Sequence, residues 1–399
     1  MIKLLAALLA TMTVGVAVPA LAGSTWDHVA RVVVFGDLHG DYAKFHDMLG
    51  QAGLIDARDR WSGGATHLVQ LGDVPDRAPD TRRILDLLMR LEPQARLAGG
   101  YVHALIGNHE AMNMEGDLRY TTLGEFAAFA DRDSPSRRDA YYRAWVAALK
   151  ASPRAGGLPV FDADYRARFD ADHPLGWVEH QAAWSTNGVY GRWVLTHSAM
   201  IRIDDTLYLH AGVGPAFLPY DIGAMNRAVI AALRHQRQAS GGPYDILWAE
   251  GGPLWYRGMA LNDEAAESGQ VAAVLERNGV GHVVIGHTKR YSMVNSRFDG
   301  AVILTDIAVR DGCPDPHAFL IKQGDALTTV YRGHSLQLRT SGEAHAAYLS
   351  EIAALDRSAN VQPRCAVSQG SSATEDRASQ FPAQRPGGAP AQIRALAAD

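Results

Sequence analysis

Five short apolar segments of this 399-residue chain each end in Asp, His or Asn beside a glycine. They are RVVVFGDLHG (31–40), THLVQLGDVPDR (66–77), YVHALIGNHE (101–110), TLYLHAGVGP (206–215) and GHVVIGHTKR (281–290). The polar residues at their ends are Asp37, His39, Asp73, Asn108, His109, His210 and His287. Carboxylate, imidazole and amide oxygen ligands suit divalent metals such as manganese, iron or zinc. One such segment could be an ordinary polar turn, but five in succession predict a shared metal site.

The number of these ligands indicates the kind of metal site. Even six of these seven residues as ligands are too many for one catalytic ion that must keep an open position, and they suit two ions that share a bridging carboxylate. Two cations about 3.5–4 Å apart can bind one hydroxide between them and clamp a phosphoryl group in line. Phosphate monoesters hydrolyse so slowly in water that enzymes must accelerate the reaction by up to ~10²¹-fold. The pattern therefore indicates hydrolysis of a phosphoester at two metal ions.

The elements that must position these residues follow from the apolar pattern. The five segments are continuously apolar rather than alternating, which predicts strands covered on both faces. Helical periodicity lies between them, in residues 41–53, 80–92 and 264–279. Alternation of strands and helices predicts an α/β sandwich. Because the carboxyl ends of strands in such sheets share one ligand-binding edge, the polar ends are expected to converge.

The N-terminus has the pattern of a secretory signal. Lys3 precedes an uncharged apolar run, and Ala20-Leu21-Ala22 supplies the small-x-small pattern of a cleavage site. The apolar run is short for a bilayer span and ends at Pro19, which argues against an uncleaved anchor. Residues 1–22 are therefore predicted to be removed, leaving an exported protein, periplasmic or secreted, without a membrane attachment.

The remainder of the chain divides into a catalytic domain and a tail. Residues 23–357 are expected to form the domain, with a mainly helical insertion at about 115–195. Such an insertion either lines the site or only protects the core, and lining the site is favoured because long insertions at strand ends often contact ligands. Residues 358–399, rich in Ser, Gln, Pro, Ala and Gly, are predicted to be disordered.

Charge and cysteine content exclude some classes of partner and site. A net charge of −5 gives no reason to expect a nucleic-acid partner held by general electrostatics. The two cysteines, Cys313 and Cys365, are too few for a cysteine-based metal site. After export they could pair, or they could remain one buried thiol and one tail thiol.

The ordered motifs resemble those of a known family. GDLHG, GDVPDR, GNHE, LHAG and GHT look like the motifs of calcineurin-like metallophosphoesterases, specifically the PPP-type phosphoprotein phosphatases. GNHEAMNMEGDLRY, SAMIRIDDTLYLHAGV and GGPLWYRG resemble the Shewanella-like branch of that group. The match runs from about Val32 to Asp306. It implies a metallophosphoesterase-type β-sandwich flanked by helices and a two-metal phosphomonoesterase. The implied substrate is phosphoprotein, at Ser/Thr or Tyr, attacked by a metal-bridging hydroxide.

The resemblance also implies a role for each matching residue. It implies His109 as the general acid, Asp76 as the carboxylate that orients it, and Arg77 and Arg257 as the arginines that grip phosphate oxygens. A guanidinium fork fits phosphate bidentately, and an imidazolium held by a carboxylate can donate a proton near neutral pH. The implied ligands are, for the first metal, Asp37 and His39, for the bridge Asp73, and for the second metal Asn108, His210 and His287.

Several residues depart from the motifs or remain without a clear role. Ala78 stands where the family usually has glycine after Asp-Arg, and it could perturb a tight turn. His197 could line the site, although a hydrogen-bonded turn histidine is the favoured interpretation. Asp306 ends an apolar segment and could support the site. Trp255 and Tyr256, which flank Arg257, are expected to pack, although an aromatic ring there could stack on phosphotyrosine.

Two other functions would use the same motifs. A nucleotide or dinucleoside polyphosphate hydrolase would share the metal site, and SPSRRDAYYRAW could supply the basic and stacking residues it needs. An inactive phosphate-binding module is disfavoured because all six ligand positions and the proton donor are present. The expected partners are thus a phosphorylated protein or peptide, or a small phosphoester, together with two divalent metals, manganese first and iron or zinc as alternatives.

Cleavage of the signal can be tested directly. If residues 1–22 are removed on export, the protein recovered from outside the cytoplasm should begin at Gly23. Intact-mass spectrometry of that material measures this, and a mass that still includes residues 1–22 would contradict the prediction.

Overall fold

The computed structural model describes residues 23–151, 158–235, 245–307, 309 and 312–362. The predicted signal and almost all of the predicted disordered tail lie outside these described residues. The strands are β1 (Thr25–Trp26), β2 (Val32–Phe35), β3 (His67–Gln70), β4 (Tyr101–Ala104), β5 (Met200–Ile203), β6 (Thr206–Leu209), β7 (His282–Ile285), β8 (Asn295–Arg297), β9 (Val302–Leu304), β10 (Phe319–Gln323), β11 (Ala326–Tyr331) and β12 (His334–Gln337). The α-helices are α1 (Tyr42–Gln51), α2 (Thr81–Leu97), α3 (Asn108–Glu115), α4 (Leu123–Ala127), α5 (Ser134–Ala151), α6 (Ala163–Asp172), α7 (Trp177–Trp184), α8 (Val189–Val194), α9 (Ile222–Leu233), α10 (Gly258–Leu261), α11 (Glu264–Asn278) and α12 (Gly342–Ser358).

The strands form two six-stranded mixed sheets. The first has the order β12-β11-β10-β2-β3-β4, in which β2, β3 and β4 are parallel and the other three strands are antiparallel additions. The second has the order β1-β5-β6-β7-β9-β8, in which β6, β7 and β9 are parallel. Each sheet therefore contributes three parallel strands whose carboxyl ends lie at one edge.

Burial on both faces of the sheets explains why the strand segments are continuously apolar. Alternate residues of each strand belong to two different cores, one between the sheets and one beneath the helices. The core between the sheets includes Val32, Val34, Val69, Tyr208, Val284 and Ile303. The core under the helices includes Val33, Phe35, Leu68, Leu207, Leu209 and Val283. The predicted α/β sandwich with flanking helices is confirmed.

The three helical segments of the sequence form α1, α2 and α11, although α2 continues to Leu97, five residues beyond its predicted end. Asp41 caps α1, since its Oδ1 accepts a hydrogen bond from the backbone N–H of Lys44 at 2.9 Å. Gly279 follows the last residue of α11 in a left-handed conformation with φ of 61°, which satisfies the final carbonyl groups. The apolar face of α2, including Ile84 and Leu88, is fully buried, and each such leucine or isoleucine contributes about 1.5–3 kcal/mol.

The region expected to be a helical insertion contains α4 to α8. Tyr141 of α5 and Phe169 of α6 form a small core of their own, against which Trp145 and Trp177 pack. Farther along the chain, Cys313 is disulfide-bonded, and the other cysteine lies outside the described residues. Among the helices of the described ranges, none combines the length and apolarity required to cross a bilayer.

A buried pair of histidines makes the stability of the fold depend on pH. Nε2 of His103 on β4 lies 3.0 Å from Nδ1 of His67 on β3, and the ring of Trp26 covers His103 at 4.3 Å. Burial, reinforced by the charge of His67, holds the pKa of His103 well below its usual value. Burial also lowers the pKa of His67. The folded state thus keeps these rings neutral, whereas the unfolded chain takes up protons near pH 6.5.

The contribution of these two histidines to the free energy of unfolding should therefore be complete above about pH 6.5. Below that pH the free energy of unfolding should decrease, by up to ~1.4 kcal/mol per pH unit for each histidine. Replacing His103 with glutamine should reduce the stability lost between pH 7.5 and 5.5 by about 1 kcal/mol or more. Urea unfolding at both pH values measures this, and His334→Gln on exposed β12 controls for the loss of one imidazole. A variant that retained the wild-type pH dependence would contradict the prediction.

Candidate metal centre

The polar residues at the strand ends converge at the edge where the two sheets meet. The loops after β2, β3 and β4 come from the first sheet, and those after β6 and β7 come from the second. His39 is partly exposed, and the other six side chains are at least nine-tenths buried. The structure thereby brings together all seven residues that the sequence grouped: Asp37, His39, Asp73, Asn108, His109, His210 and His287.

Asp73 lies at the centre of this cluster. Its Oδ2 is 3.9 Å from Nε2 of His39 and 3.8 Å from Nε2 of His109. Its Oδ1 is 3.4 Å from Nε2 of His210. Two sets of donor atoms, each within 4.8 Å of one another, therefore share this carboxylate: one with His39 and His109, the other with His210 and His287. A carboxylate shared in this way can bridge two ions.

In the second set, atoms that can accept a hydrogen bond or bind a metal lie close together. His210 donates from Nδ1 to the carbonyl oxygen of Leu71 at 2.9 Å, so Nε2 is the nitrogen that faces the cluster and that can accept once it carries no proton. That Nε2 lies 2.9 Å from the amide oxygen of Asn108 and 3.1 Å from Nδ1 of His287. Ligand atoms about 2.1 Å from one ion lie roughly 3 Å apart when they subtend a right angle. Acceptors at this distance repel unless a cation or a proton lies between them, so the geometry fits a metal ion.

The first set is also prepared for a cation. His39 donates from Nδ1 to the carbonyl oxygen of Pro75 at 3.2 Å, which directs Nε2 toward Asp37 Oδ2 at 3.6 Å. A carbonyl partner of this kind orients a metal-binding imidazole. Asp37 Oδ2 is buried and has no hydrogen-bond partner among the described residues. Orphaned atoms of this type are expected where a metal binds.

Buried charges shift the titration of these groups. Burial lowers the pKa of His210, but the carboxylates of Asp73 and Asp37 outweigh it and raise that pKa to about 9. Burial acts to raise the pKa of Asp73, yet the charges of His210 and His109 hold it well below its usual value. Burial lowers the pKa of His39 to about 4 despite its contact with Asp37. A proton on His210 thus balances the negative charge of Asp73 and Asp37, and a metal cation would balance that charge when bound.

Beside the cluster, His109 and Asp76 form a buried pair. His109 donates from Nδ1 to Asp76 Oδ2 at 2.6 Å, which leaves Nε2 toward the cluster. Burial opposes protonation of His109, but Asp73 and Asp76 together raise its pKa. The imidazole is thus held in one orientation, with a proton donor position that faces the donor cluster.

Two arginines and two aromatic rings border the cluster. Arg77 and Arg257 are exposed. Arg257 donates from Nη1 to the carbonyl oxygen of His287 at 3.2 Å, which places its guanidinium beside the second set of donors. The ring of Tyr120 lies 5.1 Å from that of His109, and the ring of Trp255 lies 5.8 Å from that of His287. Cationic and aromatic groups therefore stand on both sides of the cluster.

Glu110 connects the loop after β3 with the loop after β4 through hydrogen bonds to their backbone. Its carboxylate accepts hydrogen bonds from the backbone N–H groups of Gly107, Asp73 and Val74 at 2.8, 2.9 and 2.8 Å. Burial and the charge of Asp73 raise the pKa of Glu110 to about 7, against the lowering effect of these donors. Gly107 must lack a side chain, because a Cβ there would lie 2.3 Å from Asp73 Oδ1.

The structure also locates three other residues that the sequence analysis singled out. Asp306 follows β9, is 4% exposed and lies beside Asp37; its pKa is raised to about 8, chiefly by burial. His197 is bonded to Glu92 at 2.8 Å and takes no part in the donor sets, which agrees with the favoured interpretation. Ala78 has a negative φ, so no glycine is required at that turn.

Sequence reasoning did not find Thr121. This residue, at the start of the insertion, donates from Oγ1 to Asp76 Oδ1 at 2.7 Å, although the two are 45 positions apart. Neither spacing nor composition marks an ordinary threonine of this kind, so only the folded structure identifies it.

Comparisons with known proteins agree with this geometry. Residues 30–291 match the family described as calcineurin-like phosphoesterase. The chain is 31% identical to Shewanella-like protein phosphatase 2 of Arabidopsis thaliana over 319 residues, covering 75% of this chain and 77% of the relative. It is 22% identical to Shewanella-like protein phosphatase 1 of Plasmodium berghei over 268 residues, covering 66% and 62%. The solved cold-active protein-tyrosine phosphatase of a psychrophilic Shewanella species has 25% identity and a TM-score of 0.59, covering 80% of this chain and 83% of its own.

Replacing Asp73 with asparagine should impair metal binding at both donor sets, because they share this carboxylate. At a free manganese concentration 100-fold above Kd, each bound ion should stabilise the wild-type protein by about 2.7 kcal/mol. The Asp73→Asn variant should lose most of this stabilisation and should retain fewer ions. Chemical unfolding of metal-free protein with and without manganese measures the first effect, and elemental analysis measures the second.

Asp47→Asn, which changes an exposed carboxylate outside the cluster, serves as the control. An Asp73→Asn protein that bound two ions and gained as much stability as wild type would show that Asp73 does not bridge the two sets.

Proposed function

The chain belongs to the calcineurin-like phosphoesterase family, and we propose that it is an exported phosphoprotein phosphatase that hydrolyses phosphomonoesters at two divalent metal ions. The resemblance of its motifs to Shewanella-like protein phosphatases is confirmed, and it is a metal-dependent phosphatase. The observation that carries the proposal is the pair of donor sets that share Asp73 beside the His109–Asp76 pair. Export rests on the signal pattern of residues 1–22.

The strand-end residues divide between two ions in this proposal. Asp37, His39 and Asp73 would hold one ion. Asp73 would also join the second set, which is completed by Asn108, His210 and His287. When bound, two such ions supply a nucleophilic water of lowered pKa and neutralise charge on the phosphoryl oxygens. Imidazole, carboxylate and amide donors suit manganese, with iron or zinc as alternatives.

The exposed arginines would bind the phosphate. Arg77 and Arg257 lie at the border of the cluster, where their guanidinium groups can each donate two hydrogen bonds to phosphate oxygens. Binding from both sides would orient the phosphorus atom toward the donor cluster. Positioning of this kind accounts for much of the rate of phosphoryl transfer.

His109 would protonate the leaving oxygen. Its Nδ1–H is held by Asp76 at 2.6 Å, so the proton to be donated is the one on Nε2. The raised pKa keeps that proton in place until the bond to phosphorus breaks. Asp76 then stabilises the imidazole orientation and the next uptake of a proton. Proton donation matters most for alcohols and phenols, which are poor leaving groups as anions.

Among phosphoproteins, we place phosphotyrosine substrates first. The Shewanella relative of known structure is a protein-tyrosine phosphatase. In addition, the rings of Tyr120 and Trp255 lie beside His109 and His287, where a phenyl ring attached to the phosphate could stack. Phosphoserine and phosphothreonine remain the alternative leaving groups for the same chemistry.

Replacing His109 with alanine should lower kcat on a phosphotyrosine peptide by about 10²–10⁴-fold, because the leaving oxygen would then depart without its proton donor. Metal content should stay at the wild-type level, because the proposed ligands of the first ion are Asp37, His39 and Asp73, and His109, although it lies within the first donor set, is the proposed proton donor. Steady-state kinetics with added manganese, together with elemental analysis, tests both expectations. His46→Ala, a histidine of α1 outside the cluster, is the matched control.

The same assay should include phosphoserine and nucleotide substrates. A wild-type enzyme that hydrolysed nucleotides much faster than either phosphopeptide would contradict the phosphoprotein proposal. Full activity of His109→Ala on the peptides would contradict its assignment as the proton donor.

A further inference from the structure

The insertion begins with a residue pair, Tyr120 and Thr121, that reaches into the proton-donating part of the site. Thr121 donates from Oγ1 to Asp76 Oδ1 at 2.7 Å. The carbonyl oxygen of Tyr120 accepts a hydrogen bond from the backbone N–H of Arg77 at 3.0 Å. Both contacts join residues before α4 to the loop after β3, which are far apart in the chain.

The Asp76 carboxylate is held from several directions. Its Oδ2 accepts from His109 Nδ1 at 2.6 Å and from Asn113 Nδ2 at 3.1 Å. Its Oδ1 accepts from Thr121 at 2.7 Å. The side chain is fully buried, and the backbone adopts a left-handed φ of 75°. Because the torsion about the terminal bond of an aspartate is broad, the plane of this carboxylate is set by its partners rather than by its rotamer.

Thr121 has a distinct role among these partners. Asn113 and His109 both bind Oδ2, and Asn113 also donates to the carbonyl oxygen of His109 at 2.9 Å. Both residues lie on α3, so Asn113 would move together with the imidazole of His109. Thr121 instead holds Oδ1 from the insertion, which lies outside α3. It therefore supplies an independent reference that prevents the carboxylate from rotating away from His109.

Tyr120 completes this arrangement on the exposed side. The Tyr120 ring lies 5.1 Å from the ring of His109. The guanidinium carbon of Arg77 lies 5.1 Å from the centre of the Tyr120 ring. The phenol ring thus separates part of the imidazole from solvent and provides a surface for the arginine. Thr122, the next residue, caps α4 by accepting from the backbone N–H of Glu125 at 3.2 Å, which fixes where the insertion starts.

We propose that Thr121 is a positioning residue for proton donation: through Asp76, it holds His109 in the orientation that protonates the leaving oxygen. The inference rests on the proposed phosphatase function and assigns a further residue to it. On this proposal the helical insertion is a working part of the catalytic centre rather than a cover for the core.

The test compares Thr121→Val, which keeps the shape but removes the hydroxyl, with Thr121→Ser, which keeps the hydroxyl. Each full mature chain, loaded with manganese, is assayed on phenyl phosphate and on p-nitrophenyl phosphate. Phenol has a pKa of about 10 and needs a proton donor, whereas the more acidic nitrophenol departs readily as an anion. Thr121→Val should lose about tenfold or more in kcat on phenyl phosphate and much less on p-nitrophenyl phosphate, with little change in KM. Thr121→Ser should retain the wild-type ratio of the two rates.

Thr122→Val is the matched control, because it removes a neighbouring hydroxyl that caps α4 without touching Asp76. It should lower thermal stability and leave the ratio of rates unchanged. Equal losses on both substrates in Thr121→Val would mean a general disturbance of the site and would overturn the proposal. Unchanged rates on both substrates would overturn it as well.

A second measurement does not depend on activity. In protein labelled with ¹⁵N-histidine and loaded with diamagnetic zinc in place of paramagnetic manganese, the Nδ1–H proton of His109 should resonate far downfield, as expected for a short bond to a carboxylate. The resonance should persist in Thr121→Ser and shift upfield or broaden in Thr121→Val. An unchanged resonance in Thr121→Val would contradict the positioning role. Failure of the wild-type enzyme to hydrolyse any phosphomonoester would instead contradict the proposed function, and this spectrum would still test the contact.

Discussion

The site depends on one buried negative charge, the carboxylate of Asp73, and on the groups that compensate it. Its side chain is 2% exposed, and an unpaired carboxylate in such a place would be strongly destabilising. Its Oδ1 accepts from the backbone N–H of His109 at 2.9 Å, and its carbonyl oxygen accepts from the backbone of Leu38 and His39 at 3.0 Å. His109 and His210, whose pKa values are raised, supply compensating positive charge. The same residue therefore joins the loops and creates the demand for a cation that the chemistry uses.

This arrangement imposes strain on the backbone. His39, Asp73, Asp76, Arg77 and His287 all adopt left-handed conformations with φ between 48° and 75°. A non-glycine residue in that region costs on the order of 1–3 kcal/mol and persists only where its surroundings hold it. Here the surroundings are the two cores on either side of the strands, together with the three backbone hydrogen bonds to Glu110. The strands can thus end abruptly, and their next side chains turn toward one point instead of continuing the alternation.

The parts of the structure that were predictable share one property: their signals are local. Continuous apolar segments ending in Asp, His or Asn predicted β2, β3, β4, β6 and β7 and the convergence of their ends, since parallel strands leave little freedom for where those ends lie. The pairing of β1 with β5 and the addition of β10, β11 and β12 to the first sheet could not be predicted. Those strands carry no polar motif, and the pairings of β1 with β5 and of β10 with β2, to which β11 and β12 are added as local hairpins, join residues more than a hundred positions apart. Thr121 belongs to the same class, because its partner Asp76 is brought near only by folding of the insertion.

The position of the insertion has a consequence for selectivity. Phe126 and Phe129 pack against the buried ring of His180, so the first and later helices of the insertion form one body rather than a loose flap. The Tyr120 ring, next to the first of these helices, lies beside both His109 and Arg77. In the proposed mechanism, a substrate that fits against it would meet an aligned proton donor, whereas one that displaces it would disturb the contact from Thr121 to Asp76. The proposed function would thereby join recognition and proton delivery in one segment, and the enzyme would discriminate among phosphoesters in kcat as well as in binding.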